Sequence, residues 1–233
     1  MTKTEVMKEL RANGSAQTRK SSRRHGIKGD MFGVSHALLG KMKRQIKTDQ
    51  RLAEQLWATG NYDARTLATM VAEPSKMTAT TLESWAKDLE DRHLAGALSN
   101  VVGEAPSARK LMEKWTSARS EMLGCAGWHT LASLARQEND LDDAYFEKYL
   151  AKIETRIHAS DNSVRYAMNN ALINIGVRNP KLEKIAIAAA TRIGTIEVDH
   201  GETRCKTPEA VSYIKKTVAY NKKKAAKKRR RAG

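Results

Sequence analysis

The stretch Val164-Arg165-Tyr166-Ala167-Met168-Asn169-Asn170-Ala171-Leu172-Ile173-Asn174-Ile175 decides the fold class. Val164, Ala167, Met168, Ala171, Leu172 and Ile175 fall at i, i+3, i+4, i+7, i+8 and i+11, which lays apolar side chains along one stripe of an α-helix. Downstream, Leu182, Ile185, Ala186, Ala189 and Ile193 repeat the template, and upstream Tyr145, Phe146, Tyr149, Leu150, Ile153 and Ile157 form a third stripe. The four prolines, at 74, 106, 180 and 208, each fall in a short polar break between such stripes. Ser35 stands before a helix containing Leu38, Leu39, Met42 and Ile46, and Thr207 reads as an N-cap ahead of Pro208 at the first helical position. Period-two alternation is weak, and no Asn-Gly or Asp-Gly turn is flanked by β-branched runs. The chain reads as all-α.

Its 233 residues accommodate roughly ten to twelve helices with short connections. That arrangement suits helix pairs stacked at a period of about 40 residues, an α-α superhelix of the HEAT-like solenoid kind. A compact helical bundle is the alternative. Residues 1–218 form the expected domain and 219–233 a separate basic tail. No apolar run approaches the length of a membrane span, and charges throughout the first twenty residues exclude a secretory h-region. A cytoplasmic monomer is expected, held on the nucleoid in a bacterium or in the nucleus in a eukaryote. Cys125 and Cys205 are too few and too far apart for a disulfide framework or a cysteine zinc ribbon. Asp199, His200 and Cys205 lack a complete ligand set, so Asp199 is expected to order its loop, and neither metal nor cofactor is anticipated.

Charge is distributed unevenly. Residues 1–51 carry 13 basic and 4 acidic side chains, residues 52–214 carry 19 and 22, and residues 215–233 carry 10 and none. A near-neutral body flanked by two cationic ends points to a polyanion, because Lys and Arg contacts to phosphates release counterions. At the C-terminus Lys222, Lys223, Lys224, Lys227, Lys228, Arg229, Arg230 and Arg231 repel one another and predict disorder when unbound. At the N-terminus Arg19, Lys20, Arg23 and Arg24 cluster, and Lys43 and Lys47 share a helical face. On the deciding helix Arg165 and Asn169 lie four apart, off the apolar stripe, positioned to meet phosphates or a base edge.

The segments Gly14-Ser15-Ala16-Gln17-Thr18-Arg19-Lys20, Phe32-Gly33-Val34-Ser35 and Leu56-Trp57-Ala58-Thr59-Gly60-Asn61-Tyr62-Asp63-Ala64-Arg65 occur in that order, followed by Trp85-Ala86-Lys87-Asp88. With Arg165-Tyr166 and Asp199-His200-Gly201 further on, they resemble the DNA alkylation-repair family of AlkD-like HEAT-repeat DNA glycosylases, over roughly residues 5–218. The resemblance implies an α-solenoid that grips duplex DNA. It also implies excision of N-alkylated purines without a cofactor, by an aspartate that stabilises the developing sugar cation beside two tryptophans and an arginine. At the matching positions this chain has Gly96 for the aspartate, Arg92 and Asn170 for the tryptophans, and Cys125 for the arginine. Residues 92–103 contain no carboxylate at all.

Three functions remain open at this point. One is a DNA-binding protein that recognises duplex, alkylated or structured DNA by its backbone. Another is a glycosylase with a relocated carboxylate drawn from Asp63, Asp88, Asp91 or Asp199. The third is a HEAT-like scaffold for a protein partner. Trp57, Trp85, Trp115 and Trp128 read as core residues, with groove stacking as the competing role.

Overall fold

The computed structural model of the chain describes the backbone of residues 1–232 and the side chains of residues 1–227. Among these residues there are thirteen α-helices, two 3-10 turns and no strand. The helices are α1 (Lys3–Ala12), α2 (Ala16–Arg24), α3 (His36–Ile46), α4 (Gln50–Trp57), α5 (Tyr62–Val71), α6 (Ala79–Lys87) and α7 (Arg92–Glu104). They continue as α8 (Ala108–Trp115), α9 (Glu121–Arg136), α10 (Asp143–Arg156), α11 (Asn162–Arg178), α12 (Pro180–Ile193) and α13 (Ala210–Ala232). The number exceeds the sequence expectation partly because α2 buries no residue, so it leaves no apolar stripe to read. No helix among the described residues is long and apolar enough to cross a membrane.

The chain divides into two compact units. The first comprises Met1–Thr130 together with Asp199–Cys205, and the second Leu131–Val198 with Lys206–Gly233. In the first, α4 and α5 pair across a short turn in which Gly60 takes a φ of 72°, and α5 packs on α3 and α7. The indoles of Trp57 and Trp85 stack with centroids 4.2 Å apart and planes 4° from parallel. All four tryptophans are buried, which settles them as core residues. Truncating any of them would cost about 3–5 kcal/mol. Gly127 lets α9 approach the end of α8, since a Cβ there would lie 2.5 Å from the Thr116 backbone nitrogen.

In the second unit α11 is the central element, packed against α10, α12 and α13. Its predicted stripe is buried from Ala167 to Ile175, but Ser163, Asn169, Ile173 and Gly176 are buried as well. A helix enclosed on several sides loses its amphipathic character. Gly176 is needed for that enclosure, because a Cβ would meet Ile214 at 2.7 Å and Ala186 at 2.9 Å.

Helix α12 starts as read, with Pro180 in its first turn and the Asn179 side chain accepting from the Leu182 amide at 2.9 Å. Ser35 likewise caps α3. At α13 the cap differs from the sequence reading. Glu209, not Thr207, accepts from the Val211 and Ser212 amides at 2.9 and 2.7 Å. The Pro208 carbonyl is taken by Asn169, which holds the Thr207-Pro208 pair ahead of the helix.

From residue 219, where the basic tail begins, the α13 backbone runs on as helix to Ala232. Ala, Lys and Arg are strong helix formers, which is the physical reason. Every residue from Ala219 to Lys227 is exposed, so no packing supports this part of the helix. The side chains of Lys228, Arg229, Arg230 and Arg231 lie outside the described residues.

Candidate nucleic-acid interface

In the first unit the N-terminal cations stand on short helices fixed by backbone chemistry. Ser15 caps α2 by accepting from the Thr18 amide at 3.1 Å. Arg19 donates to the Phe32 carbonyl at 2.9 Å, and Arg23 donates to the Ile27 carbonyl at 2.9 Å and to that of Lys28. Both arginines therefore brace the loop from α2 to α3. That loop is fastened at its other end by Asp63 of α5, whose carboxylate accepts from the amides of Phe32, Gly33 and Val34 at 2.7, 2.9 and 3.0 Å. Gly33 has a φ of 80°, and a Cβ there would lie 2.6 Å from the Ser15 carbonyl.

Lys20 and Arg24 on α2, with Lys43 and Lys47 at the end of α3, are exposed. Among the described residues, none of Arg19, Lys20, Arg23, Arg24, Lys43 and Lys47 is ion-paired to a carboxylate. Helices α2 and α3 line one cavity of about 320 Å³, together with Tyr62, Thr66 and His93. The His25 and His93 rings meet edge to face at 5.9 Å across this region.

Each carboxylate considered for catalysis has a structural engagement. Asp63 holds the α2–α3 loop. Asp88 accepts from the Trp57 indole at 2.9 Å and pairs with Arg65 at 3.2 Å, while Arg65 also lies over the Trp57 ring. Asp91 caps α7, accepting from the His93 and Leu94 amides at 2.9 Å each. Burial pushes the Asp91 carboxyl above the usual carboxylate range, with those amides and nearby His93 opposing the shift. Asp199 accepts from the Gly201 amide at 2.7 Å and so orders its turn.

The four positions where the resemblance places catalytic groups are occupied as follows. Arg92 donates to the Asp199 carbonyl at 2.9 Å and meets His200 at 3.2 Å, holding the returning 199–205 segment within the first unit. A Cβ at Gly96 would lie 3.9 Å from the His129 ring, in ordinary contact. Cys125 is fully buried, and burial raises its thiol far above the ordinary range, leaving an inert core sulfur. Asn170 borders a cleft described below. Cys205 lies 3.8 Å from the His25 imidazole, and no group of three metal-capable side chains occurs among the described residues.

In the second unit, two residues placed on an open face by the sequence are found elsewhere. Asn169 is 1% exposed and donates to the Pro208 carbonyl at 2.9 Å, so it is covered rather than presented. Arg165 donates to the carbonyls of Glu197, Ser160 and His158 at 2.8, 2.9 and 3.3 Å, tying the chain beyond α12 to the start of α11. The physical reason is common to both. Chain 32 and 39 residues away returns over this face, which local spacing cannot reveal.

The same helix does border an open cleft of about 840 Å³, between the end of α9, α11 and α13. Tyr166, Asn170 and Asn174, one helical turn apart, line it from α11, with Arg136 of α9 and Tyr213 of α13. The Asn174 amide donates to the Asn170 carbonyl at 2.7 Å and to its side-chain oxygen at 3.0 Å, and Arg136 reaches the Asn174 oxygen at 3.4 Å. Arg178, also at the rim, donates to the Ala135 and Gln137 carbonyls at 3.1 and 2.6 Å and lies over Phe146. Nothing in the local spacing of Arg136 and Tyr213 marks them as partners of α11.

The architecture defines an all-α protein of the HEAT-like repeat class. The chain belongs to the family described as DNA alkylation repair enzyme, whose model matches residues 6–214. It is 29% identical over 214 residues to the uncharacterized protein Lin0241 of Listeria innocua, an alignment spanning 89% of this chain and 93% of that one. Lmo0209 of Listeria monocytogenes, also uncharacterized, is 28% identical over the same shares of the two chains. A solved structure aligns with a TM-score of 0.85 at 27% identity, covering 95% of each chain. It is described as representing a new family of proteins related to the HEAT-like repeat DNA glycosylases with affinity for branched DNA structures.

Proposed function

We propose that this chain binds DNA through the phosphate backbone, recognises branched or otherwise structured duplexes by shape, and does not excise bases. The observation that carries the proposal is the set of exposed cations on α2 and α3 with no carboxylate partner among the described residues. Unneutralised cations on braced helices meet phosphates with little ordering cost and release counterions as they do so. The exposed lysines Lys222, Lys223, Lys224 and Lys227 of α13 add a second, sequence-independent contribution. Affinity for branched DNA in the structural relative favours structured substrates over linear ones.

The same geometry argues against a relocated glycosylase centre. A carboxylate that stabilises a developing sugar cation must face the substrate with its charge uncommitted. Asp63, Asp88 and Asp91 are instead turned to backbone amides, an indole and a guanidinium.

The test is a titration of full-length protein with a four-way junction and a linear duplex of equal length, between about 50 and 200 mM salt. Affinity falls linearly on a log–log plot, and the junction binds more tightly throughout. Replacing Lys20, Arg24, Lys43 and Lys47 together by alanine lowers the slope by roughly three to four, at about 0.9 per phosphate contact. An unchanged slope in this variant would overturn the assignment of the interface to α2 and α3.

A further inference from the structure

The cleft between α9, α11 and α13 of the second unit is not absorbed by backbone binding, because its chemistry is wrong for phosphate. Six carboxamides line it, Gln137, Asn169, Asn170, Asn174, Asn179 and Asn221, against two guanidinium groups. One of those, Arg178, is consumed by backbone carbonyls and the Asn139 side chain, and of the carboxamides Asn179 is likewise held by Asp143 and the Leu182 amide. A phosphate site needs converging cations or amide N–H groups. Carboxamides instead carry a donor and an acceptor side by side, the pattern complementary to the edge of a nucleobase.

Two further observations point to a planar heterocycle. Tyr166 and Tyr213 line the cleft from opposite helices, and Tyr213 is 50% exposed, one of the few large apolar side chains left in solvent. An exposed aromatic ring beside hydrogen-bonding amides is the pairing used to stack and read unstacked bases. In addition, the Asn169 side-chain oxygen is buried yet has no hydrogen-bond partner among the described residues, although its amide nitrogen is satisfied by Pro208. An unpaired buried acceptor is costly, and a residue bordering a cleft is where a ligand's N–H group can repay that cost.

We infer that this cleft is a nucleobase site, which takes an unstacked base from an unpaired strand of the bound DNA. The inference rests on the DNA-binding function proposed above and names the part of the substrate that α2 and α3 do not account for. A base enters between the Tyr166 and Tyr213 rings. Its N–H edge donates to the side-chain oxygens of Asn169 and Asn174, and Arg136 donates to a base carbonyl or ring nitrogen. The flanking backbone continues along α13, where Tyr213, Thr217 and Asn221 line the cleft in successive turns. The exposed Lys222, Lys223 and Lys224 follow immediately on the same helix.

The experiment compares full-length protein with Tyr213→Ala and Asn174→Ala, using a linear duplex and a forked DNA of equal charge with 2-aminopurine at the first unpaired position. Tyr213 is half exposed, so its removal leaves the fold intact. Wild-type protein should bind the fork more tightly than the duplex and change the 2-aminopurine fluorescence. Each variant should lose roughly tenfold in fork affinity, together with the fluorescence change, while duplex affinity stays constant. If the variants keep the fork preference and the fluorescence change, the base site is overturned and DNA binding stands. Equal binding of fork and duplex by the wild type overturns the site in the same way. If neither DNA binds, the DNA-binding function itself fails and the base site falls with it.

Discussion

The arginines of α2 and the lysines of α13 carry the same sign of charge but are held in opposite ways. Arg19 and Arg23 are pinned to carbonyls of a loop that Asp63 clamps through three amides, so their helix is preset before any ligand arrives. The α13 cations from Lys222 to Lys227 stand on a stretch of helix in which every residue is exposed, and they rely on propensity alone. Preset cations give shape recognition, because their geometry cannot adapt to every phosphate track. Unsupported cations give affinity that depends steeply on salt and little on DNA shape.

The largest effect follows from releasing the clamp. Asp63→Ala strands the buried amides of Gly33 and Val34 and the partly buried amide of Phe32, which should destabilise the protein by about 3–5 kcal/mol in denaturant titrations. Below its melting point the variant should also lose preference for branched over linear DNA, although Asp63 itself touches no phosphate. Retention of both stability and preference would show that the α2–α3 loop needs no anchor.

Deletion of residues 221–233 is next. Removing eight cations should weaken the linear duplex and the fully paired four-way junction equally, on the order of a hundredfold at low salt, and flatten the salt dependence. If binding vanished altogether, DNA affinity would reside in the tail alone, and the folded body would read as a scaffold for a protein partner.

A smaller effect separates the root of α13 from its cationic end. Glu209→Ala removes a cap worth about 1 kcal/mol. Hydrogen bonds from Ser212 hold the Glu209 carboxyl below its ordinary range, so its contribution is present at neutral pH and is lost as pH falls through that lowered value. Wild type and variant should therefore converge in acid, while a constant difference across pH would contradict the cap.

The smallest effect concerns Asp91. Burial raises its folded-state pKa, so its contribution to stability is full in acid and is lost as pH rises through the raised value. Asp91→Asn keeps an acceptor for the His93 and Leu94 amides. It should be as stable as wild type at neutral pH or gain less than about 1 kcal/mol, measured by thermal melts across pH. A loss of stability at neutral pH would mean that the ionised form is needed.

Local spacing made the helices legible, because the stripes on α10, α11 and α12 are dictated by contacts within one turn and one face. The cationic ends were legible for the same reason, since charge needs no partner to be counted. Long-range closure was not. Asn169 and Arg165 look like surface residues until chain from beyond α12 covers them. Asp63 and Asp88 look like free acids until the loop amides, the Trp57 indole and Arg65 claim them. The base cleft needs three helices from distant sequence, and only Tyr166 and Asn170 on α11 hinted at it.

The most direct test of the account is single-turnover release of N-methylated bases from alkylated duplex DNA, run beside a binding titration of the same protein. A DNA-binding protein that does not excise bases should release them no faster than the spontaneous rate while binding is retained. Lesion-dependent release abolished by a carboxylate-to-amide change at Asp63, Asp88, Asp91 or Asp199 would contradict that function and establish an excision enzyme with a relocated centre.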